Sequence, residues 1–404
     1  MGEYPHVRVT GSAEERGRQY GEQTRDRVHR SVGAYRDVFA SMVGWDWETV
    51  RGEAARFEAP IAAFNPRYVA EMRGIADGAG IDFTDVLAIN VRTEVMFAAK
   101  ARHAATASKA GTSSQAAPTG RPGECSSFAI APAPGHPGPT LLGQNWDWLP
   151  HSAETVVVLE VAQDEGPDFV TVVEAGLLAK TGMNAAGLGL VTNALVTADD
   201  LGEPGLPYHV MLRAIMDCES VSDAITSLQA GPRSSSANYL LAHRDGVAID
   251  VEGSPGDFSR LYFLYPDGGY ADGSGILLHT NHFLADRFAG TDVSVWVMPD
   301  SPVRLQRLRA GVQAAPELSL DTFRALLSDH ANYPSGVCCH PDPKMAPADQ
   351  GMTVTSVLMD LGAGRMWLSD GNPCTAPYRE VDYSGFLSWP ASEAGSAGSS
   401  QAAA

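Results

Sequence analysis

The chain has 404 residues, with 48 Asp and Glu against 29 Lys and Arg, for a net charge of −19. Nucleic acid and anionic membrane would both repel such a surface, so neither is expected as a partner. Its 44% hydrophobic and 19% charged residues are ordinary for a globular protein with a large buried core, and the length admits two or three domains or one large α/β unit.

Five cysteines, Cys125, Cys218, Cys338, Cys339 and Cys374, are spread along the chain. An odd, scattered set is not a disulfide framework and points to a reducing, cytoplasmic setting. No stretch approaches the ~18 apolar residues of a membrane span, and the opening residues lack the apolar run of a secretory signal. The initial Met-Gly is followed by His6, where a myristoylation signal carries Ser or Thr.

In chain order, residues 12–43 read as a helix capped by Ser12, with Tyr20, Val28, Val32, Tyr35, Phe39 and Met42 on its apolar face. Its charge run EERGRQYGEQTRDR reads as a solvated face. Further helices are predicted over 46–57, 65–79 (stopped by glycines) and 84–100, so residues 1–102 form a mainly α segment. Residues 103–124 are small, polar and rich in Gly and Pro, the composition of a mobile linker. Strand-like runs follow: SSFAIAPA, TLLGQNWDW, ETVVVLEVA, DFVTVVEAG and LGLVTNALV. A helix is predicted over 208–229, strands over 237–243, 246–252 and 260–265, helices over 301–314 and 319–329, and strands over 353–361 and 364–370. Residues 391–404 read as a disordered tail. Helices segregated from runs of strands indicate an α+β layered fold.

Cys125 stands at the end of the linker and the start of the first of these strands, in GECSSFAI. A thiol becomes a strong nucleophile once ionised. As a new N-terminus, Cys125 would carry its own base, an α-amine with a pKa of ~7.7–8.0. Taken alone, it is more readily a buried structural cysteine. The strand LLGQNWDW would pair with it as a hairpin and bring Asp147 close, where a carboxylate could orient the amine or act as acid and base. Asn145 and Asp147 would equally suit the solvent face of an alternating strand. Asn184 and Asn193 flank a turn in TGMNAAGLGLVTNAL, and LLHTNHF puts His279, Asn281 and His282 at a strand end. An Asn amide can stabilise an oxyanion, though each of these is also an ordinary turn or cap residue. Trp146 and Trp148 suit the wall of an acyl pocket or simple core packing. GMNAAGLG lacks the lysine of a phosphate loop.

These motifs occur in one order: RYVAEMRGIADGAGIDFTDVLAINVRTE, GECSSF, LLGQNWDW, GMNAAGLGLVTNAL, HTNHF, SPVRLQRL and DHANYPSGVCCHPDP…TVTSVLMDL. In this order, from about residue 10 to about 375, the chain resembles the isopenicillin-N acyltransferase family of autoproteolytic acyltransferases and hydrolases. The resemblance implies a four-layer αββα sandwich of the N-terminal-nucleophile (Ntn) hydrolase type. It implies cleavage between Glu124 and Cys125 into a small α-rich chain and a catalytic chain spanning 125–390, the two remaining associated, and it allows a homo-oligomer. The nucleophile maps to Cys125, the motif Asp to Asp147 and the motif Asn to Asn281, with Asn193 as a further oxyanion or substrate contact. Members commonly have Gly before the Cys, where this chain has Glu124, and a basic residue where it has Cys339; Arg304 is the candidate for a catalytic arginine. The expected partner is a small N-acyl amide or acyl donor, and neither cofactor nor metal is expected.

Other readings compete. A papain-like peptidase would pair Cys125 with His279 or His282 and leave the chain whole. Cys338, Cys339 and His340 with His330 could be ligands, but adjacent cysteines do not match usual zinc spacing. A binding protein on a degenerate Ntn fold would have no need to combine Cys125, Asp147 and Asn281.

Overall fold

The computed structural model describes residues 3–109, 125–133, 138–267, 274–346 and 350–387. Glu124, most of the predicted linker and the tail lie outside them. The strands are β1 (His6–Gly11), β2 (Cys125–Ala131), β3 (Leu141–Trp148), β4 (Val156–Gln163), β5 (Phe169–Glu174), β6 (Thr181–Asn184), β7 (Leu188–Ala194), β8 (Ala237–His243), β9 (Val247–Gly253), β10 (Leu261–Leu264), β11 (Gly275–His279), β12 (Met352–Asp360), β13 (Arg365–Ser369) and β14 (Tyr378–Asp382). The helices are α1 (Ala13–Gln23), α2 (Arg25–Val43), α3 (Trp47–Ala54), α4 (Glu58–Phe64), α5 (Pro66–Ala79), α6 (Phe83–Asn90), α7 (Arg92–Lys109), α8 (Tyr208–Met216), α9 (Val221–Leu228), α10 (Ser294–Val297), α11 (Ser301–Ala314) and α12 (Leu320–Leu327).

The strands form an eight-stranded sheet in the order β1-β4-β5-β6-β7-β8-β9-β10 and a six-stranded sheet in the order β11-β2-β3-β12-β13-β14. Among the described residues β1 and β4 pair in parallel, and the other ladders between named strands are antiparallel. Alternation along β2 assigns its two faces. Cys125, Ala129 and Ala131 enter the apolar layer between the sheets, with Val158, Val172, Val191 and Leu240. Phe128 and Ile130 face the other way, onto Leu308 and Val312 of α11 and Phe323 and Leu327 of α12. The eight-stranded sheet buries its outer face under α1–α9 in the largest core cluster. The layers are therefore α, β, β, α, the expected four-layer sandwich.

Several boundaries differ from the sequence reading. The predicted helix 12–43 is two helices, α1 and α2, because Thr24 leaves helical geometry at φ −118° while its hydroxyl bonds the Tyr20 carbonyl at 2.7 Å. Val91, at φ −114°, similarly separates α6 from α7. The predicted helix 208–229 breaks between α8 and α9, where Ser220 caps the second half. Helix α7 continues to Lys109, past the predicted start of the linker at 103. Strand β1 lies in a segment read as mainly α. Helices α1 and α5 touch backbone to backbone: a Cβ on Gly21 would sit 2.2 Å from the Ile75 carbonyl oxygen, and one on Gly78 2.1 Å from that of Arg18.

Candidate active site

The β2–β3 hairpin is the core of the site. Cys125 pairs with Trp146 across the ladder, and the backbone N–H of the next residue, Asp147, donates to the Cys125 sulfur. The backbone N–H of Cys125 donates to Asn281 Oδ1 at 2.6 Å. Its carbonyl oxygen accepts from Arg304 Nη1 at 2.7 Å and from Asn193 Nδ2 at 3.2 Å. Both backbone polar groups of the cysteine are thus held by side chains from β7, from the turn after β11 and from α11.

Those side chains are themselves fixed. Asn281 follows β11, its N–H bonded to Ser301 Oγ at 2.7 Å and its Nδ2 to the Ala194 carbonyl at 3.0 Å. Arg304, one turn into α11 and fully buried, donates from Nε to Asp300 at 2.7 Å, from Nη2 to Asn281 Oδ1 at 2.9 Å and from Nη1 to Ser126 Oγ at 3.1 Å. Asn193 Oδ1 accepts from Ser127 Oγ at 2.6 Å and Asn238 Nδ2 at 3.1 Å. The structure therefore joins Cys125, Asp147, Asn281, Asn193 and Arg304 in one cluster. The sequence reading had Asn281 and Asn193 as oxyanion donors. Here Asn281 presents its acceptor oxygen to the Cys125 nitrogen, because Arg304 and that N–H both need an acceptor and its Nδ2 is taken by Ala194. Asn193 Nδ2 likewise serves the Cys125 carbonyl.

Asp147 Oδ1 accepts from Thr353 Oγ1 at 2.6 Å, while its Oδ2 is buried with no hydrogen-bond partner among the described residues. Burial pushes its pKa from 3.8 up to about 7, against the pull of Arg304 and Thr353. Burial also pushes the Cys125 thiol up to about 11, opposed mainly by the Lys180 ammonium. Lys180 was missed in the sequence, where it stood beside a stretch read as a turn. It lies 4.5 Å over the Trp146 ring, and burial pulls its amine down to about 8, with Cys125 as the leading opposing influence. A lone lysine at the end of the buried run AGLLAK, just before β6, carries no sequence signal of its own.

Cys125, Asp147, Lys180, Trp146 and Trp148 line one cleft of about 860 Å³, part of it open to solvent. Its other walls are Tyr35, Phe39 and Met42 of α2, Met96, Phe97 and Lys100 of α7, and Leu195, Val196, Tyr208 and His209. Both tryptophans thus lie in its wall, and Trp148 Nε1 is tied to Tyr35 Oη at 2.9 Å.

The histidines of the peptidase alternative are engaged elsewhere. His279 Nε2 meets Glu252 at 2.8 Å and its Nδ1 meets the Thr280 carbonyl at 2.6 Å. Burial opposes its charge, but Asp250 and Glu252 more than offset that and raise its pKa. His282 Nδ1 contacts Ser301 Oγ at 2.8 Å. Asn184 caps the turn after β6, as its turn setting suggests, accepting the N–H groups of Ala186 and Leu188.

Two stacked sheets between helical layers, with a cysteine opening an inner strand above a cleft, place the protein in the Ntn hydrolase class. The chain belongs to the acyl-coenzyme A:6-aminopenicillanic acid acyl-transferase family, whose model matches residues 135–374, more than half of its length. It is 25% identical over 341 residues to the acyl-coenzyme A:6-aminopenicillanic-acid-acyltransferase 40 kDa form of Emericella nidulans, covering 82% of this chain and 84% of that one. Solved structures similar to it include a mutant conjugated bile acid hydrolase from Clostridium perfringens, with 12% identity, TM-score 0.42 and coverage of 65% of this chain and 93% of that one. Another is the Caenorhabditis elegans N-acylethanolamine-hydrolyzing acid amidase ortholog, with 12% identity, TM-score 0.40 and coverage of 59% and 93%. A third is the penicillin V acylase of Agrobacterium tumefaciens, with 15% identity, TM-score 0.37 and coverage of 64% and 86%. No helix among the described residues is long and apolar enough to cross a membrane.

Proposed function

We propose that the chain cuts itself between Glu124 and Cys125, and that mature Cys125 then hydrolyses or transfers a small N-acyl group through an acyl-enzyme. The carrying observation is the clamp on the Cys125 backbone. Asn281 already holds the nitrogen that cleavage would turn into the α-amine, and Arg304 and Asn193 hold the carbonyl beside it. In the first stage the Cys125 sulfur attacks the Glu124 carbonyl carbon. The C–N bond breaks as the Cys125 nitrogen takes up the proton lost by the thiol and becomes the α-amine, and water opens the resulting thioester to the Glu124 carboxylate and a free thiol. Asp147, poised near neutrality, moves the protons.

In the second stage the α-amine takes the thiol proton and the thiolate attacks the acyl carbonyl. The leaving group departs with that proton, and water or an amine resolves the Cys125 thioester. Lys180 supplies positive charge beside the sulfur. The apolar cleft suits the acyl chain, and Lys100 at its wall suits an anionic end of the substrate. The relative from Emericella nidulans, named as acting with acyl-coenzyme A and 6-aminopenicillanic acid, favours including thioester donors and amine acceptors in the substrate panel.

Intact-mass measurement tests the first stage: two fragments meeting at Glu124/Cys125 are expected, and active protein that stays whole would overturn it. Cys125→Ala should abolish both cleavage and turnover of N-acyl amides, with or without an amine acceptor.

A further inference from the structure

The loop between α12 and β12, DHANYPSGVCCHPDP, folds back on itself. The Cys338 N–H bonds the Asp329 carbonyl at 3.0 Å, the His340 N–H bonds that of Pro334 at 2.9 Å, and Ser335 bridges Cys339. Cys338 and His340, two positions apart, therefore share one side of the loop. Cys339 uses its backbone on the other: its N–H donates to Thr353 Oγ1 at 2.9 Å, and its carbonyl accepts from Asn372 Nδ2 at 2.6 Å. His330 enters from the end of α12 and Cys374 from the turn after β13. The four ligand atoms of His330, Cys338, His340 and Cys374 all lie within 4.8 Å of one another.

The separations about His340 Nε2 and between the two sulfurs are close to those of a coordination shell. Cys338 Sγ lies 3.6 Å from Cys374 Sγ and 3.5 Å from His340 Nε2. Cys374 Sγ is 3.4 Å and His330 Nε2 3.1 Å from the same His340 nitrogen. Ligands at ~2.3 Å (sulfur) and ~2.0–2.1 Å (nitrogen) around a tetrahedral zinc stand roughly 3.3–3.8 Å apart. Without an ion, two imidazole nitrogens face each other, and two thiols sit too far apart for a disulfide, which needs about 2.05 Å between sulfurs. Asn372 Nδ2 donates to the Cys338 sulfur at 3.5 Å, as outer-shell groups do around metal-bound cysteine.

We propose that His330, Cys338, His340 and Cys374 bind one zinc ion as a closed structural site. Binding displaces the two thiol protons to solvent, and two thiolates with two neutral imidazoles balance the dication. Soft sulfur with imidazole selects zinc over magnesium or calcium, and four protein ligands leave no position for a substrate. The site pins the loop whose Cys339 N–H positions Thr353, the residue that holds Asp147 at 2.6 Å. It stands on its own geometry, whatever reaction Cys125 performs. The sequence reading had weighed Cys338, Cys339, His340 and His330 and expected no metal; Cys374, distant in sequence, completes the set in place of Cys339.

Full-length protein purified under reducing conditions in zinc-supplemented medium should carry about one zinc per chain, by elemental analysis and native mass spectrometry. Cys374→Ser and His330→Ala should lose it while Cys339→Ser keeps it. Cobalt exchanged into the site should show thiolate-to-metal charge-transfer absorption that Cys374→Ser abolishes. Folded, reduced protein that holds no stoichiometric zinc, equal zinc in Cys374→Ser, or a Cys338–Cys374 disulfide in freshly isolated protein would each overturn the proposal.

Discussion

Asp147 is held at a cost to the fold, and that cost can be measured. Its carboxyl is almost fully buried, with Oδ2 unpartnered among the described residues, and its pKa stands at about 7 instead of 3.8. The folded chain thus binds this proton more tightly than the unfolded chain. Stability falls as pH rises from about 4 to about 7 and is level above that. The gap of about three pH units, at ~1.36 kcal/mol each, sets a ceiling of about 4 kcal/mol. Asp147→Asn keeps an acceptor for Thr353 and removes the charge. In a Cys125→Ala background, which stays one chain under the proposed mechanism, Asp147→Asn should be more stable by up to about 4 kcal/mol near pH 8 and nearly neutral near pH 4. Urea titrations across that range, read by tryptophan fluorescence, give the difference directly. A stability difference that does not change with pH would show that Asp147 is not strained. The proton-handling role proposed for it would then lose its physical basis.

Gly21→Ala puts a methyl group against the backbone of α5, 2.2 Å from the Ile75 carbonyl oxygen and 2.7 Å from the Ala79 nitrogen. Overpacking against backbone should cost about 1–3 kcal/mol or more, seen as a lower urea midpoint. Gly33→Ala on α2, with nothing within 4 Å of the new methyl, should instead gain about 0.5–1 kcal/mol, and equal effects at the two sites would refute the close helix contact. Lys180→Met removes the cation that most lowers the Cys125 pKa. The pH midpoint for alkylation of Cys125 by iodoacetamide should move up, slowing the reaction near pH 8 about tenfold per pH unit of movement. An unmoved profile would separate Lys180 from the nucleophile.

Features carried by local pattern were legible in the sequence. Strands β2, β3 and β8 alternate or run apolar between Gly and Pro punctuation, and their ends fall within a few residues of the predicted ones. The hairpin that sets Cys125 opposite Trp146 followed from strand length and spacing alone. What depends on distant partners was not legible. Strand β1 is six residues with only Val7 and Val9 buried, and its place is fixed by β4, about 150 residues on. Asn281 was expected as a donor because its chemistry allows it. Only the paired demands of Arg304 and the Cys125 N–H turn its oxygen toward the nucleophile. The side-chain cluster at 330–340 was hidden for a related reason: adjacent Cys338 and Cys339 break any recognisable spacing, and only the folded backbone turns Cys339 away and brings Cys374 to Cys338, His340 and His330 from another strand end.

The proposed cut would leave an interface that one covalent bond does not maintain. Residues before the cut supply β1 at the edge of the eight-stranded sheet and seven helices of its outer layer. Glu174, fully buried on β5, is bound from across the cut by Tyr35 Oη at 2.8 Å and Arg92 Nη2 at 3.0 Å. Separating the pieces would take away that carboxylate's cation, Arg92, and leave it Ser152 Oγ at 2.8 Å, a penalty of roughly 3–5 kcal/mol for a broken buried pair, besides exposing the shared core. The same helices wall the cleft, with Tyr35, Phe39, Met96 and Phe97 facing Cys125 and Trp146. An enzyme that released its small chain would therefore lose one side of its acyl pocket, so under the proposed mechanism the two products of cleavage act as one folded unit.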